Sequence, residues 1–242
     1  MADTPHANLA ERLQEQLGLE LPPVAVARVP EQPTGIPRPG GASPSTCSFW
    51  RRAESEVFYA AAEDHFHCPI GAMVMGFDLP EGKMQELIGL VQEMCSINYL
   101  SPDEVAHIPK FAEKATGIVY GPLGRFPLEP DVVLVWATPM QAMLLQETAG
   151  LAQWSATPQG AVFGRPACGV LPIALGRGKT TISLGCIGMR TNTDIPAQLC
   201  LVAVPGSELG RLGTALEPTV AANQQMMETT AKSKRAIALY SS

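Results

Sequence analysis

The chain has 242 residues, of which 46% are hydrophobic and 17% charged, and its formal net charge is −6. This balance excludes a disordered chain and argues against a general nucleic-acid binder. No apolar run reaches the roughly 18 residues that a membrane-spanning helix needs, so none is expected. Residues 1–16 carry acids and polar side chains where a signal peptide needs basic and then apolar ones. A cytoplasmic protein is therefore predicted.

Helices and strands alternate in the first part of the chain. Capping residues followed by proline predict helices that begin at Thr4-Pro5, ending at Gly18, and at Ser101-Pro102. A further short helix is predicted over residues 48–53 and a long one from Pro80. Apolar runs predict strands over residues 24–29 and 57–62. Residues 30–45 are rich in Pro, Gly and Ser and predict an exposed loop.

The helix that begins at Pro80 shows the helical spacing of an amphipathic segment. The apolar residues that repeat at this spacing are Met84, Leu87, Ile88, Val91, Met94 and Cys95. They predict one buried helix face. Cys95 is therefore interpreted as a core cysteine, and so is Cys200, which lies inside an apolar strand pattern.

The second part of the chain begins with strand patterns and a well-marked helix. Thr138-Pro139 predicts a helix that ends near Gly150. Strands are expected over residues 117–120, 132–136, 170–175, 180–184 and 198–204. Residues 176–179 would then form a hairpin turn. A helix over residues 205–216 and a polar helical tail over 219–236, anchored by Met226 and Met227, complete the pattern.

Four of the six cysteines occur in two similar settings. Cys47 is followed at some distance by Cys68, and Cys168 is followed at similar range by Cys186. Glycine stands close to Cys68, Cys168 and Cys186, where backbone N–H groups could approach a sulfur atom. We interpret the pattern as two halves built on one plan that deliver four thiols to one place.

Thiolates are soft ligands, and four of them match the ligand count of a zinc site or an iron–sulfur cluster. No C-x₂-C pair occurs, so the spacing matches neither a zinc ribbon nor a ferredoxin. Three alternatives therefore remain open at this point. The cysteines could hold a shared metal or cluster, act as redox or nucleophilic thiols, or be inert buried residues.

Histidines and arginines near these cysteines are candidates for binding a substrate. His65 and His67 precede Cys68, and in a strand their side chains would point the same way. Arg51, with Arg52 beside it, follows Cys47, and Arg190 follows Cys186. These cations could hold an anionic substrate or offset the charge of a cluster, although solvated surface arginines are common.

Five segments of the chain together form a pattern seen in a known family. They are Cys47, Phe58 to Ala72 with Cys68-Pro69-Ile70-Gly71, Pro130 to Ala142, Ala167-Cys168, and Ser183 to Arg190. In these segments the chain resembles the prokaryotic family known as domain of unknown function 169. The resemblance extends from about Leu9 to Leu216. It implies that Cys47, Cys68, Cys168 and Cys186 are the cysteines of the family, whereas Cys95 and Cys200 are not.

These observations predict an α/β or α+β fold made of two similar halves, with mixed sheets and flanking helices. The predicted halves cover about residues 1–115 and 116–216, followed by a C-terminal helix over 217–242. The leading functional hypothesis is a 4Fe-4S protein that acts in redox chemistry or on a small anionic molecule. Structural zinc and a metal-free small-molecule module are the alternatives. Whether the protein is an oxidoreductase or another cluster-dependent enzyme stays open.

The expected partners are a small molecule or a redox protein, and a homodimer is one expected assembly because the polar C-terminal helix could pack on a second subunit. Neither nucleic acid nor a membrane is expected as a partner.

Overall fold

A computed structural model describes residue 4, residues 6–152 and residues 160–240, with side chains as far as residue 235. The helices are α1 (Ala7–Leu17), α2 (Thr46–Arg52), α3 (Pro69–Val74), α4 (Glu81–Ser96), α5 (Pro102–Val105), α6 (Pro139–Thr148), α7 (Val170–Arg177), α8 (Ile187–Thr193) and α9 (Leu209–Tyr240). The strands are β1 (Val24–Val29), β2 (Phe58–Ala61), β3 (Gly117–Pro122), β4 (Val132–Ala137), β5 (Ala161–Phe163), β6 (Thr181–Ser183) and β7 (Cys200–Pro205).

All seven strands belong to one sheet in the order β2-β3-β1-β4-β7-β6-β5. Every neighbouring pair is antiparallel except β5 and β6, which are parallel. The predicted α/β class, with a mixed sheet and flanking helices, is confirmed. A single sheet runs through both parts of the chain, where the sequence suggested sheets in the plural.

Helices cover both faces of the sheet because its central strands are apolar on both sides. Along β4, Leu134 and Trp136 belong to one core cluster and Val133 and Val135 to the other, as expected when successive side chains point to opposite faces. The first cluster packs against α2, α3, α7 and α8, and the second against α1, α6 and α9. The result is a three-layer fold.

Apart from the edge strand β5, the same number of strands lies on each side of the β1–β4 contact. On one side, β1 pairs with β3 and β3 with β2, and on the other side β4 pairs with β7 and β7 with β6. This pairing groups β3 with the first part of the chain, whereas the predicted boundary between residues 115 and 116 assigns it to the second. The division into two similar halves stays a prediction.

Local capping signals locate several helix ends correctly. Ser101 and Thr138 each form a capping box with the side chain three residues later. Gly18 ends α1 in the left-handed conformation that glycine adopts without strain, with φ of 63°. The first helix begins at Ala7, and Pro5 of the predicted capping pair lies outside the described residues.

The strand predicted over residues 170–175 is wrong, because these residues form α7. A short apolar run does not distinguish a buried strand from a buried helix by its pattern alone. The glycine-rich segment that follows is consequently a helix end and no hairpin turn. Gly178, with φ of 58°, donates its N–H to Leu175 and ends α7.

The buried face predicted for α4 is also wrong for most of its residues. Leu87 is buried, but Met84 and Ile88 are 40% and 44% exposed, and Cys95 is only half-buried. The helix packs mainly on α3 at the edge of the fold, so only a narrow strip of it meets other elements. Cys200 is buried on the sheet as predicted.

The two helices predicted after β7 form one continuous helix, α9, which passes through Pro218. Its inner side carries Leu209, Leu212, Leu216 and Val220, so the apolar stripe continues across the proline and keeps the helix on the second core cluster. The predicted anchors Met226 and Met227 are 62% and 50% exposed, which corrects that prediction. Residues 241–242, the end of the C-terminal helix predicted over 217–242, lie outside the described residues.

Within the residues that the structure describes, no helix combines the length and the apolar character that crossing a bilayer demands.

Candidate functional site

One cavity of about 370 Å³ lies on the sheet face covered by α2, α3, α7 and α8. Four cysteines line it, and they are the four that the sequence singled out: Cys47, Cys68, Cys168 and Cys186. The structure therefore brings together thiols from two distant parts of the chain. The volume of the cavity lies at the lower end of the range found for small-molecule binding sites.

Each of the four cysteines stands at the start of a helical segment. Cys47 is in the first turn of α2, which Ser45 caps by accepting the N–H of Ser48. Cys68 directly precedes α3, and Cys186 directly precedes α8. Cys168 lies in a short 3-10 helix, Ala167–Gly169, that runs into α7.

Packing between the two parts of the chain brings these helix starts together. Helix α2 packs against α8, and α3 packs against the 3-10 helix that carries Cys168. The hydroxyl of Ser48 donates a hydrogen bond of 3.1 Å to the carbonyl of Asn192 at the contact between α2 and α8. The cavity is therefore an interface site, and its floor requires both parts of the chain.

The two deepest thiols are strongly disfavoured as free thiolates. Burial raises the pKa of Cys47 well above its ordinary value, and negative charge on Cys168, Cys186 or Cys68 raises it further. Burial likewise raises the pKa of Cys168, with Cys68 and Cys186 adding to the effect and backbone N–H groups offsetting part of it. Without a bound cation, Cys47 and Cys168 are neutral thiols at neutral pH.

Polar hydrogen atoms and free space lie next to the sulfur atoms. The sulfur of Cys186 accepts the backbone N–H of Met189 at 3.4 Å. The hydroxyl of Thr46 is buried and has no hydrogen-bond partner among the described residues. A Cβ atom at Gly71 would lie 2.9 Å from the sulfur of Cys68 and closer still to the Thr46 hydroxyl. The backbone of Gly71 therefore packs closely against Thr46 and Cys68, and only glycine leaves room for this contact.

The rest of the cavity lining combines apolar side chains with several polar groups. Its walls include Leu90, Met94, Leu100, Ile108 and Phe163. The polar lining residues are Ser45, His67, Tyr99, Glu104, His107, Arg165 and Asn192. The guanidinium of Arg165 lies over the ring of Tyr99, 4.1 Å from its centroid.

His65 does not reach the cavity, so the prediction that His65 and His67 face the same way is wrong. The segment is a 3-10 helix, Ala62–His65, in place of the strand that this prediction required. His65 is 1% exposed, and its Nδ1 donates to the carbonyl of Ala61 at 2.8 Å. Its Nε2 therefore accepts the hydroxyl of Tyr120 at 3.0 Å. His67 is exposed and does line the cavity.

The two arginines proposed as substrate ligands do not line the cavity either. Arg51 forms an ion pair with Glu54, which lies just after the end of α2. Arg190 donates to the backbone carbonyls of Leu184 at 2.7 Å and Leu199 at 3.1 Å. Both guanidinium groups hold local structure, because each already has acceptors in the protein, so the prediction of a cavity cation is not met at these positions.

The sequence reasoning missed Tyr99, His107 and Arg165 as lining residues. Arg165 precedes Cys168 by three positions, so a search of the residues shortly before each cysteine would have found it. Tyr99 and His107 flank α5, far in sequence from the four cavity cysteines. Only the folded structure brings these two residues to the site.

A single metal ion finds no ready site here. In residues 6–152 and 160–235, no group of three or more His, Cys, Asp or Glu is arranged to hold one ion. The four cysteines line a common space but are not gathered around one point. A group that is itself several ångströms wide would fit this arrangement better, because it offers each sulfur a different atom to bind.

A sequence model of the family DUF169, described as uncharacterised ArCR, matches residues 12–214 of the chain. Comparison with curated proteins and with solved structures gives no significant match. The matched segment contains all four cavity cysteines.

Replacing Gly71 by alanine should destabilise the protein by about 1–3 kcal/mol, because the new methyl group overlaps the Thr46 hydroxyl and the Cys68 sulfur. The free energy of unfolding, measured in urea on the metal-free protein, tests this. Gly188→Ala is the matched control, since Gly188 also lines the cavity and a Cβ there meets nothing within 4 Å. Equal stabilities for the two variants would contradict the close packing at Gly71.

The free energy of unfolding of the metal-free protein should decrease as the pH is lowered, because of His65. Burial lowers the pKa of His65 from its ordinary 6.5 to about 4. Below pH 6.5 the unfolded chain takes up a proton that the folded protein refuses, so the free energy of unfolding decreases until about pH 4. At pH 4.5 the loss from this residue should be about 2–3 kcal/mol.

Urea unfolding at pH 7 and pH 4.5 measures this loss. His65→Gln should remove it from the difference between the two pH values, and His107→Gln, which changes an exposed histidine, should leave it in place. The interpretation of His65 as a neutral core residue fails if wild type and His65→Gln lose the same stability.

Proposed function

Since the chain belongs to the uncharacterised family DUF169, its function must be argued from its own residues, and we propose that it binds an iron–sulfur cluster. The proposed group is a 4Fe-4S cluster held by Cys47, Cys68, Cys168 and Cys186. The observation that carries the proposal is the convergence of these four thiols, from two parts of the chain, on one cavity.

The electrostatics of the site favour a strongly cationic ligand. Cys47 and Cys168 are buried, and negative charge on Cys68 or Cys186 raises the cost of ionising either of them. An uncompensated thiolate in such surroundings costs several kcal/mol. Iron ions supply the compensating charge, so all four sulfurs can ionise together only when the metal is present.

Structural zinc is a weaker candidate. Zinc needs its donors about 2.3 Å from a single ion, and the described residues contain no group of three donors arranged in that way. In a four-iron cluster each thiolate binds a different iron, so the sulfurs stand apart by the width of the cluster. A cavity lined by four separate cysteines suits the second arrangement.

The surrounding residues would tune the properties of such a cluster. The cluster supplies a one-electron redox centre. The N–H of Met189 and the unpaired hydroxyl of Thr46 are donors that can bond to sulfur, and hydrogen bonds of this kind raise the reduction potential. The close packing of Gly71 against both residues holds the Thr46 hydroxyl near the sulfur of Cys68.

The second candidate is a metal-free module that binds a small molecule among the cysteines. The apolar walls formed by Leu90, Met94, Leu100, Ile108 and Phe163 favour it, because binding sites for organic ligands have this character. A thiol enzyme is less well supported. The raised pKa values of Cys47 and Cys168 leave little thiolate at neutral pH, and the thiolate is the nucleophile.

We further propose a reducing, cytoplasmic setting, since the six cysteines are all free thiols. The expected partners are a redox protein or a small molecule, with no role for nucleic acid, and a homodimer stays a prediction. The cluster would make the protein an electron carrier or an oxidoreductase.

The protein purified without oxygen should be coloured and should contain about four irons and four sulfides per chain. Changing Cys68 or Cys186 to serine should lower the iron content to less than about one per chain, because a cluster ligand is lost. Iron and sulfide analysis, together with the visible absorption before and after reduction, measures this.

Cys95→Ser is the control, because Cys95 is half-buried on α4 and does not line the cavity. It should keep the wild-type iron content. A colourless, iron-free protein from strictly anaerobic expression would contradict the cluster and favour the metal-free module, whereas one tightly bound zinc per chain would favour the structural alternative.

A further inference from the structure

A single permanent cation faces the cavity that holds the four cysteines. Of the lining residues in the described part of the chain, Arg165 is the only lysine or arginine. The sequence suggested Arg51 and Arg190 for this role, but Arg51 pairs with Glu54 and Arg190 donates to the carbonyl of Leu184. The cation of the site therefore comes from the segment that leads into Cys168.

The guanidinium of Arg165 is held in place but keeps donors available. Its central carbon lies over the Tyr99 ring, 4.1 Å from the ring centroid, which is within the range of a cation–π contact. Such a contact uses the positive charge and no N–H hydrogen bond, so the N–H groups stay available to donate. No carboxylate among the described residues forms an ion pair with Arg165.

The remaining charged lining residue is already occupied. Glu104 accepts the backbone N–H of Ser101 at 2.7 Å in the capping box of α5. With one arginine and one glutamate, and with a cluster adding further negative charge, the cavity does not suit a doubly charged anion. A ligand with one negative charge is favoured.

Apolar side chains line the same cavity as Arg165 and the cysteines. Leu90, Met94 and Leu100 come from α4 and the residues after it, and Ile108 and Phe163 complete the wall. A small inorganic ion bound at Arg165 would leave these apolar side chains in contact with water. A ligand with an apolar body would bury it while its charged end meets Arg165.

We propose that the cavity binds a small organic carboxylate with a single negative charge, whose carboxylate pairs with Arg165 and whose apolar body points inward among these side chains. The planar fork of arginine donors matches a carboxylate. The proposal deepens the proposed function, and rests on it in placing the ligand beside the cluster. The pairing of the ligand's carboxylate with Arg165 does not depend on the cluster and is tested separately.

The experiment titrates anaerobically purified protein, in a carboxylate-free buffer, with acetate, butyrate and benzoate. Butyramide, benzamide and inorganic phosphate are the matched probes. Calorimetry should show that butyrate and benzoate bind more tightly than acetate, by up to about fourfold for each buried methylene. Butyramide and benzamide should bind at least about tenfold more weakly than butyrate and benzoate, respectively. Phosphate should also bind at least about tenfold more weakly than either of these carboxylates.

Arg165→Gln should weaken the binding of butyrate and benzoate at least about tenfold, because a charged hydrogen-bonded pair is lost. The affinity of Arg165→Lys should lie between those of the wild type and Arg165→Gln, since lysine keeps the charge but lacks the planar pair of donors. Arg177→Gln is the control: Arg177 is exposed at the end of α7, outside the cavity, and its loss should leave the affinity unchanged.

Iron content is measured on every sample, so the two proposals fail separately. Iron-loaded protein that binds none of the carboxylates at millimolar concentration, or binds them equally well in Arg165→Gln, overturns the carboxylate site and leaves the cluster standing. Iron-free protein that binds butyrate in an Arg165-dependent way supports the carboxylate site and overturns the cluster. Phosphate binding as strong as that of benzoate would also overturn the carboxylate site.

Discussion

The antiparallel pairing of β1 with β4 is the contact on which the cavity depends. Val24, Ala25 and Val26 pair with Leu134, Val133 and Val132, and this short ladder joins three strands on one side to four on the other. Helices on the same face of the sheet then meet across the join. Because each of four helix starts carries a cysteine, the join also determines where the sulfurs meet.

The surroundings of the sulfur atoms include a feature that a purely structural core would avoid. The Thr46 hydroxyl is buried without a partner in the described part of the chain, and valine at this position would remove that penalty. The raised pKa values of Cys47 and Cys168 cost nothing while the thiols are neutral, but they oppose any chemistry that needs a free thiolate. Departures from the rules of stable packing are typical of functional sites.

Local signals in the sequence predicted much of the fold, and long-range ones did not. Capping boxes at Ser101 and Thr138 involve residues three positions apart, so they can be read from the sequence. The choice of helix for α7 depends on packing against the sheet, which the apolar run at residues 170–175 does not reveal. The four cysteines were identified because they recur, whereas Tyr99 and His107 have no such pattern.

The arginines show why closeness in sequence is a poor guide to the chemistry of a site. Arg190 begins one turn after Cys186, but its guanidinium turns back to the carbonyls of Leu184 and Leu199. Its charge reaches Cys200, where it offsets part of the increase in pKa that burial causes. Arg165, by contrast, lies in the bend between β5 and the 3-10 helix of Cys168, where no carboxylate pairs with it among the described residues, and its guanidinium lies over the ring of Tyr99. An arginine whose acceptors are already supplied by the backbone holds the scaffold, and one held by a cation–π contact keeps its hydrogen-bond donors for a ligand.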